Sequence, residues 1–402
     1  MAFFTAMDIY LISLLVEPIK QELALTDVEV GLANSSTLYL AYAVFCVPAG
    51  ILVDRANRVR MLAGAILLWC LGLVLTGLSS GIALLAGSKL VLGLANAISL
   101  PAAMSLLADH FAPGRRAMAT ASYGIGQGMG QAGAIFVGGL GLGALTDYAG
   151  SHPDALFGLA PWRVVSLAFA AGGLLLLPLL LTLREPARME RREEGARFGE
   201  LWDYRAFLGP LLAGTMCLSG MSTAILSWIP PALTRLYGQQ PGEFAGWFGL
   251  VSLTAGIAGL LGGGLLVRAT YRRGGDGRLM RPAAIGALLC APASCVALTP
   301  DAGWFAATTA LFIIAYAIAI SIPVIAITFR IPNELRGLAM GLYVVTVALA
   351  GAVSGPLVAV ASGLLGGEAM LGWGMALVGA PFALLAAAAF ASISRPSPAP
   401  AA

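Results

Sequence analysis

Polar residues in this chain come in short clusters, and the stretches between them are long and apolar. Twelve apolar runs can be marked, near residues 2–19, 27–53, 61–80, 82–108, 115–143, 161–183, 205–236, 242–267, 282–299, 303–329, 336–365 and 370–393. A helix needs about 20 apolar residues to cross a bilayer, so the pattern predicts an all-α integral membrane protein with twelve transmembrane helices. Local signals mark the starts of two runs. Thr26-Asp27-Val28-Glu29 reads as a capping box, which satisfies free amides at a helix start. Pro161-Trp162 puts proline in a first helical turn, where no N–H is needed. The most basic cluster is Gly50-Ile51-Leu52-Val53-Asp54-Arg55-Ala56-Asn57-Arg58-Val59-Arg60. Its three arginines and one aspartate are expected in water, as a tight loop joining runs 2 and 3 into a hairpin that faces the cytoplasm.

Composition narrows the class further. The chain is 59% hydrophobic and 11% charged, with mean hydropathy +0.87, against about 25% charged residues in soluble domains. The 51 glycines fit membrane helices, whose backbones approach closely at small residues. Arginine outnumbers lysine 21 to 2 and alanine is abundant, which associates the chain with a GC-rich, bacterial genome. Cys46, Cys70, Cys217, Cys290 and Cys295 all lie in apolar runs without metal-binding spacing, and they read as small buried hydrophobes. Met1 opens directly into an apolar run with no cleavable signal. The shortness of that run is consistent with a start upstream.

Charge fixes an expected orientation. With both termini inside, the loops after runs 2, 4, 6, 8 and 10 and the tail carry 19 of the 23 Lys and Arg residues. Lys20, Lys89, Arg163 and Arg235 are the exceptions. Basic residues gather on the cytoplasmic side of membrane proteins. The longest hydrophilic stretch, Arg184 to Tyr204, divides the runs into two sets of six and contains Arg188–Glu194, expected as a surface helix or linker. The domains are expected as a bundle at 1–183, a linker at 184–204, a second bundle at 205–394 and a tail at 395–402. The sets repeat: Arg116-x-x-Ala119-x-x-x-Tyr123 returns as Arg336-x-x-Ala339-x-x-x-Tyr343. Gly264 to Arg273 is a degenerate partner of the basic cluster.

The basic cluster, read as Gly50-x-x-x-Asp54-Arg55-x-x-Arg58-x-Arg60, resembles the loop between helices 2 and 3 of the major facilitator superfamily. Leu15-Val16-Glu17-Pro18-Ile19-Lys20-Gln21-Glu22-Leu23, Pro101 to Phe111 leading into Arg115-Arg116-Ala117, and Pro332-Asn333-Glu334-Leu335-Arg336-Gly337 resemble its spinster branch. The resemblance covers most of the chain and is strongest in the first half. It implies two pseudo-symmetric six-helix bundles, alternating access, and a substrate site near the midplane between the halves. Spinster-like proteins include lysolipid and sphingolipid-phosphate exporters in eukaryotes, while bacterial members have broader substrates. The chain departs from that pattern. Relatives carry Asp-Arg in helix 1, where Asp8-Ile9 stands. Asn96 occupies the position of the branch's proton-switching glutamate and Lys89 that of its arginine. Arg268 replaces the aspartate of the second basic motif.

Candidate residues follow from chemistry out of place. Asp8 and Lys89 are ionisable groups deep inside apolar runs, which costs about 2.5–3.5 kcal/mol even on lenient scales and marks cavities or pairs. Lys89 and Asn96 are seven apart and share a helix face, about 10 Å apart along it. Asp8, Lys89 and Asn96 are therefore expected to line a cavity, with Lys89 pairing with Asp8 or an anionic substrate group. A purely structural Asp8–Lys89 pair, or a snorkelling Lys89, is the plainer reading. Run 5 adds Tyr123 and, one turn apart, Gln127 and Gln131, amid glycines that favour close packing. The second half offers neutral or aromatic candidates: Trp228, Tyr316, Ser321, Tyr343 and Thr346. Pro230-Pro231 and Pro323 are expected bending points. The resemblance further implies a cytoplasmic gate of Asp54, Arg55, Arg58, Arg116 and Arg336, with arginines bonding the Asp54 carboxylate.

The expectation is thus a secondary transporter moving an amphiphilic, lysolipid- or sphingolipid-like or organic-anion substrate, coupled to protons through Asp8. A small polar metabolite such as a sugar acid, a drug-like compound, or an uncoupled facilitator is the alternative. A sensor that binds without flux and an intramembrane enzyme are the other classes weighed. No cofactor, metal site or nucleic-acid partner is expected, and His110 and His152 both lie near loops. Membrane lipids and protons are the expected partners of a monomer in a bacterial inner membrane, both termini cytoplasmic.

Overall fold

A computed structural model describes residues 2–111, 113–152, 156, 158–186, 198–274 and 278–393. Among them, twelve spans are long and apolar enough to cross a membrane, in agreement with the twelve runs. The spans are built from fourteen α-helices: α1 (Ala2–Leu23), α2 (Asp27–Gly31), α3 (Thr37–Arg55), α4 (Arg58–Gly77), α5 (Ile82–His110), α6 (Pro113–Ser151), α7 (Pro161–Leu181), α8 (Arg205–Leu226), α9 (Ile229–Tyr237), α10 (Pro241–Gly274), α11 (Arg281–Ala293), α12 (Ala302–Arg330), α13 (Asn333–Leu365) and α14 (Leu371–Ile393). No strand occurs among the described residues. The expected surface helix at 188–194 and the tail at 395–402 lie outside them.

Helix ends follow the local chemistry. The Glu29 amide donates to the Thr26 hydroxyl at 3.3 Å, and the Thr26 amide donates to Glu29 Oε2 at 2.8 Å, closing the expected capping box. Asn57 caps α4 by accepting from the Arg60 amide at 2.8 Å, and Asp301 caps α12 by accepting from the Trp304 amide at 2.9 Å. Two interruptions bear on the candidate residues. Span 2 passes from α2 to α3 through a π turn at Leu32–Ser36, and span 7 breaks at Ser227-Trp228 before Pro230-Pro231 open α9. The break satisfies the bending expected of those prolines, whereas α12 runs unbroken through Pro323.

One sequence expectation is corrected. The first helix is not short: α1 has 22 residues and continues through Pro18 to Leu23. The basic cluster closes in a tight turn. Helix α3 persists to Arg55 and α4 restarts at Arg58, leaving only Ala56 and Asn57 between them.

The chain forms two compact units. The first comprises residues 1–191, 226–253 and 355–360, and the second residues 192–225, 254–354 and 361–402. In the first unit α5 packs against both α3 and α4, α1 against α6, and α4 against α7. Glycine permits two of these contacts. A Cβ on Gly93 would sit 2.4 Å from the Leu38 carbonyl oxygen of α3, and one on Gly130 would sit 2.1 Å from the Phe3 carbonyl oxygen of α1. Any larger residue there would force the helices apart. In the second unit α11 packs against α12 and α14. Outward positions are apolar, with Leu175 79% and Leu364 84% exposed, a surface suited to lipid rather than water.

Candidate functional site

The expected cavity residues of the first unit divide into a buried polar cluster and its neighbours. Asp8 on α1 and Lys89 on α5 are both completely buried, as are Thr76, Ser79 and Ser88. Lys89 Nζ donates to the Thr76 hydroxyl at 3.2 Å. Thr76 is anchored in turn, donating to the Gly72 carbonyl at 2.9 Å and lying 2.9 Å from the Ser88 hydroxyl. This side of the cluster is therefore built from α4 and α5. Asp8 faces it without closing on it: among the described residues neither carboxylate oxygen accepts a hydrogen bond. Lys89 acts on Asp8 through space, but no contact pairs them. The plain structural ion pair is thus not formed. A buried polar group without a partner costs about 1–3 kcal/mol or more, a cost that a proton, a ligand group or a shifted Lys89 would recover. Asn96, farther along α5, is also buried, and its amide oxygen has no hydrogen-bond partner among the described residues.

The other first-unit candidates take different positions. Tyr123 packs on the apolar cluster of Val53, Val59, Leu62, Ala102, Ala103 and Leu106, and its hydroxyl shares a hydrogen bond with Thr5, one turn before Asp8. Gln127 is exposed and Gln131 half-buried on α6. Trp228, at the break in span 7, donates its indole N–H to the Gly355 carbonyl at 3.0 Å and is buried. In the second unit Tyr316 stacks on Phe312 with ring centroids 6.4 Å apart and shares a hydrogen bond with Ser222. Tyr343 lies within its electrostatic reach. Ser321 donates to the Ile318 carbonyl at 3.0 Å and fills the space beside Gly263 on α10. Thr346 donates to the Leu342 carbonyl at 2.8 Å. Tyr316, Tyr343 and Ser222 form an aromatic, neutral patch, and the Ser321 and Thr346 hydroxyls are satisfied within their own helices.

Of the expected gate residues, Arg58 is placed differently from the expectation. Arg58 does not join an Asp54 cluster in water. Its side chain is completely buried, donating through Nε to Glu185 Oε1 at 2.6 Å, through Nη1 to Asp109 and to Ser105 Oγ at 3.0 Å, and through Nη2 to the Pro186 carbonyl at 3.0 Å. The Val59 amide adds a bond to Glu185 Oε2 at 3.1 Å. Arg58 thus ties the start of α4 to the end of α5 and to the chain following α7. Asp54 and Arg55 are exposed at the end of α3. Arg336, in the second unit, donates to the Thr328 and Ile331 carbonyls at 2.7 and 3.3 Å, closing the turn from α12 to α13. The Arg116 side chain lies outside the described residues.

A network that sequence reasoning missed gathers the remaining exceptions to the basic-loop pattern. Arg235 on α9 donates to Glu17 at 2.6 Å and grips Asp27 with two bonds of 2.7 and 2.8 Å, while Lys20 donates to Asp27 at 2.6 Å. Arg163 donates to Glu22 at 2.9 Å and to the Gly77 carbonyl at 2.9 Å, and Trp162 also donates to Glu22. Forked guanidinium–carboxylate bonds of this kind are strong and directional. The signal was available in the acidic residues Glu17, Glu22 and Asp27 flanking the first turn of the chain. Of the four outlying cations, three are held by carboxylate contacts and Lys89 is not.

Comparison with known proteins supplies the family. A model of the Major Facilitator Superfamily matches residues 1–356. An "MFS-type efflux pump" of Mycolicibacterium smegmatis is 28% identical over 262 residues, which is 63% of this chain and 57% of the pump's own length. The fold resembles that of a bacterial homologue of the human lysosomal transporter Spinster, in an inward-facing and unoccupied conformation, with TM-score 0.77 and 22% identity over 99% of this chain and 97% of that one. A nucleoside transporter superposes with TM-score 0.72 at 13% identity, covering 98% of each chain. With its twelve spans and a family match over most of its length, the chain belongs to the Major Facilitator Superfamily, a family of transporters.

Proposed function

We propose that this chain is a secondary transporter that moves an amphiphilic, lipid-like or organic-anion substrate by alternating access between two six-helix lobes, 1–183 and 205–394, with Asp8 as the proton-exchanging group. The observation that carries the reading is the open Asp8–Lys89 arrangement. A carboxylate without a hydrogen-bond donor and an ammonium held by a hydroxyl leave both charges available, to a proton on one side and an anionic head group on the other. The contrast with the neutral Tyr316–Tyr343 patch supports a substrate with a charged head and an apolar body. The chain acts in this reading as a monomer in a bacterial inner membrane, with both termini cytoplasmic, as the distribution of basic residues supports. A drug-like substrate is the second reading, favoured by the description of the M. smegmatis relative as an efflux pump.

The test is ligand stabilisation of the purified protein in lipid nanodiscs, across lysolipids, fatty acids, sugar acids and cationic dyes, repeated with Asp8→Asn. A ligand bound by the folded state alone raises the melting temperature by mass action. Stabilisation by a lysolipid or fatty acid, with pH dependence that disappears in Asp8→Asn, is the expected result. Responses confined to dyes would favour the efflux reading, and responses confined to sugar acids would remove the lipid substrate.

A further inference from the structure

A second site begins about one turn along α1 from Asp8. The π turn Leu32–Ser36 inserts a residue into span 2, so that the Thr37 amide reaches back to the Leu32 carbonyl. Single π turns inside α-helices are rare and concentrate at functional sites. This one turns Asn34 toward a cavity of about 40 Å³ in the first unit, bounded by Ile12, Val16, Leu38, Tyr39 and Trp228. Asn34 is 6% exposed, and among the described residues neither its amide oxygen nor its amide nitrogen has a hydrogen-bond partner. An amide offers two donors and an acceptor, and leaving them buried and unmet is costly.

The surroundings define what would meet them. Among the described residues no charged side chain lines the cavity. The Ser13 hydroxyl is spent on the Tyr10 carbonyl at 2.8 Å and the Trp228 N–H on Gly355, and Ser35, Tyr39 and Ser227 add hydroxyl-bearing residues to a wall that is otherwise apolar around the Asn34 amide. The wall is also stiff. A Cβ on Gly355 would meet Ser35 Oγ at 2.6 Å, and one on Gly31 would meet the Pro356 backbone at 3.2 Å. Collapse onto Asn34 is therefore opposed by close backbone packing. The space holds roughly three water-sized groups.

We propose that the Asn34 pocket is a binding subsite for a neutral group that both donates and accepts hydrogen bonds, a hydroxyl or an amide, borne on an apolar chain. It would read the uncharged part of an amphiphile whose charged part engages Asp8 and Lys89. The inference deepens the functional reading above and rests on it, but its experiment separates the two.

Three probes of equal chain length discriminate: a monoacylglycerol (neutral, with hydroxyls), the fatty acid methyl ester (neutral, without a donor) and the lysophosphatidic acid (charged, with a hydroxyl). Each is titrated into the full chain in nanodiscs, with melting temperature and tryptophan fluorescence as readouts. Monoacylglycerol should bind the wild-type protein, and Asn34→Leu should weaken that binding about tenfold, the loss of roughly one hydrogen bond. The methyl ester should bind weakly and be indifferent to the substitution. Asn34→Ser keeps a polar group of smaller size and covers the case in which Asn34→Leu does not fold; it should weaken monoacylglycerol binding several-fold. Failure of wild-type protein to bind monoacylglycerol, equal binding of the methyl ester, or unchanged binding in whichever Asn34 variant folds would overturn the proposal and leave the pocket to water. Lysophosphatidic acid binding retained in the Asn34 variants but lost in Asp8→Asn would, together with any of those results, sink the subsite and leave the transport reading standing.

Discussion

Among the described residues of the first unit, Arg58 and Lys89 are both completely buried cations, and they are treated in opposite ways. Arg58 meets two carboxylates, a hydroxyl and two backbone carbonyls, so that the ends of α4 and α5 and the chain after α7 are joined through one guanidinium. Lys89 meets the Thr76 hydroxyl and faces a carboxylate that it does not touch. Burial is equal and satisfaction is not. A buried charge that is fully paired holds structure in place, while one left open retains interaction free energy for another partner. The comparison sets Arg58 in the architecture and leaves Lys89 as the group proposed above to meet the substrate.

The largest expected effect tests the first half of that contrast. Arg58→Leu removes a charge and leaves Asp109 and Glu185 facing an apolar side chain, and breaking such a pair costs about 3–5 kcal/mol. Thermal unfolding of the purified variant should show a large fall in melting temperature or no folded protein. Lys89→Met should behave in the opposite manner. It replaces an ammonium by an apolar chain of similar length, so melting should hold or rise, while transport of an anionic substrate into proteoliposomes falls at least tenfold. Equal destabilisation by the two substitutions would erase the distinction.

Legibility in the sequence tracks the distance between partners. The twelve spans were readable because each is a local property of about 20 residues, and Asp8 and Lys89 were readable because a charge in an apolar run is anomalous wherever it points. The role of Arg58 was hidden. Its carboxylates lie 51 and 127 residues away, and nothing local separates it from Arg55 or Arg60. For Arg235 the clustered acids Glu17, Glu22 and Asp27 were visible, but their pairing with it was not, Glu17 and Asp27 lying at separations of 218 and 208. Asn34 is intermediate: the polar run Asn34-Ser35-Ser36 inside an apolar span was a visible signal, but a π turn leaves no signature in hydrophobic spacing.

A smaller effect sharpens the account of Arg58 through its partner Glu185, which lies beyond the end of span 6. Burial alone would raise the Glu185 carboxyl, but the hydrogen bonds from Arg58 and the Val59 amide hold it below its ordinary value. A carboxyl held low in the folded state adds stability that is fully present above the unfolded value, about 4.3, and is lost as pH falls through the folded value. The melting temperature should therefore drop on acidification below that range. Glu185→Gln should lower melting at neutral pH and flatten the acid limb, because the group that titrates is gone. An acid limb of unchanged steepness would mean that other carboxyls carry it.

The smallest expected effect comes from the neighbour that sequence could not tell from Arg58. Arg55 belongs to the same basic motif, three residues earlier, but it is exposed at the end of α3. Surface substitutions of this kind change stability little, so Arg55→Gln should move the melting temperature by no more than about 2 °C. Transport is the more informative readout. In the resemblance to the superfamily loop, Arg55 and Asp54 take part in closing the cytoplasmic side, and that function is independent of what they contribute to folding. A variant that melts like the wild type but transports differently, with cysteines on that side becoming more reactive to a water-soluble label, would assign Arg55 to the gate. Unchanged flux and labelling would leave it a surface charge that only orients the hairpin, and one motif would then contain a buried anchor and an exposed marker three residues apart.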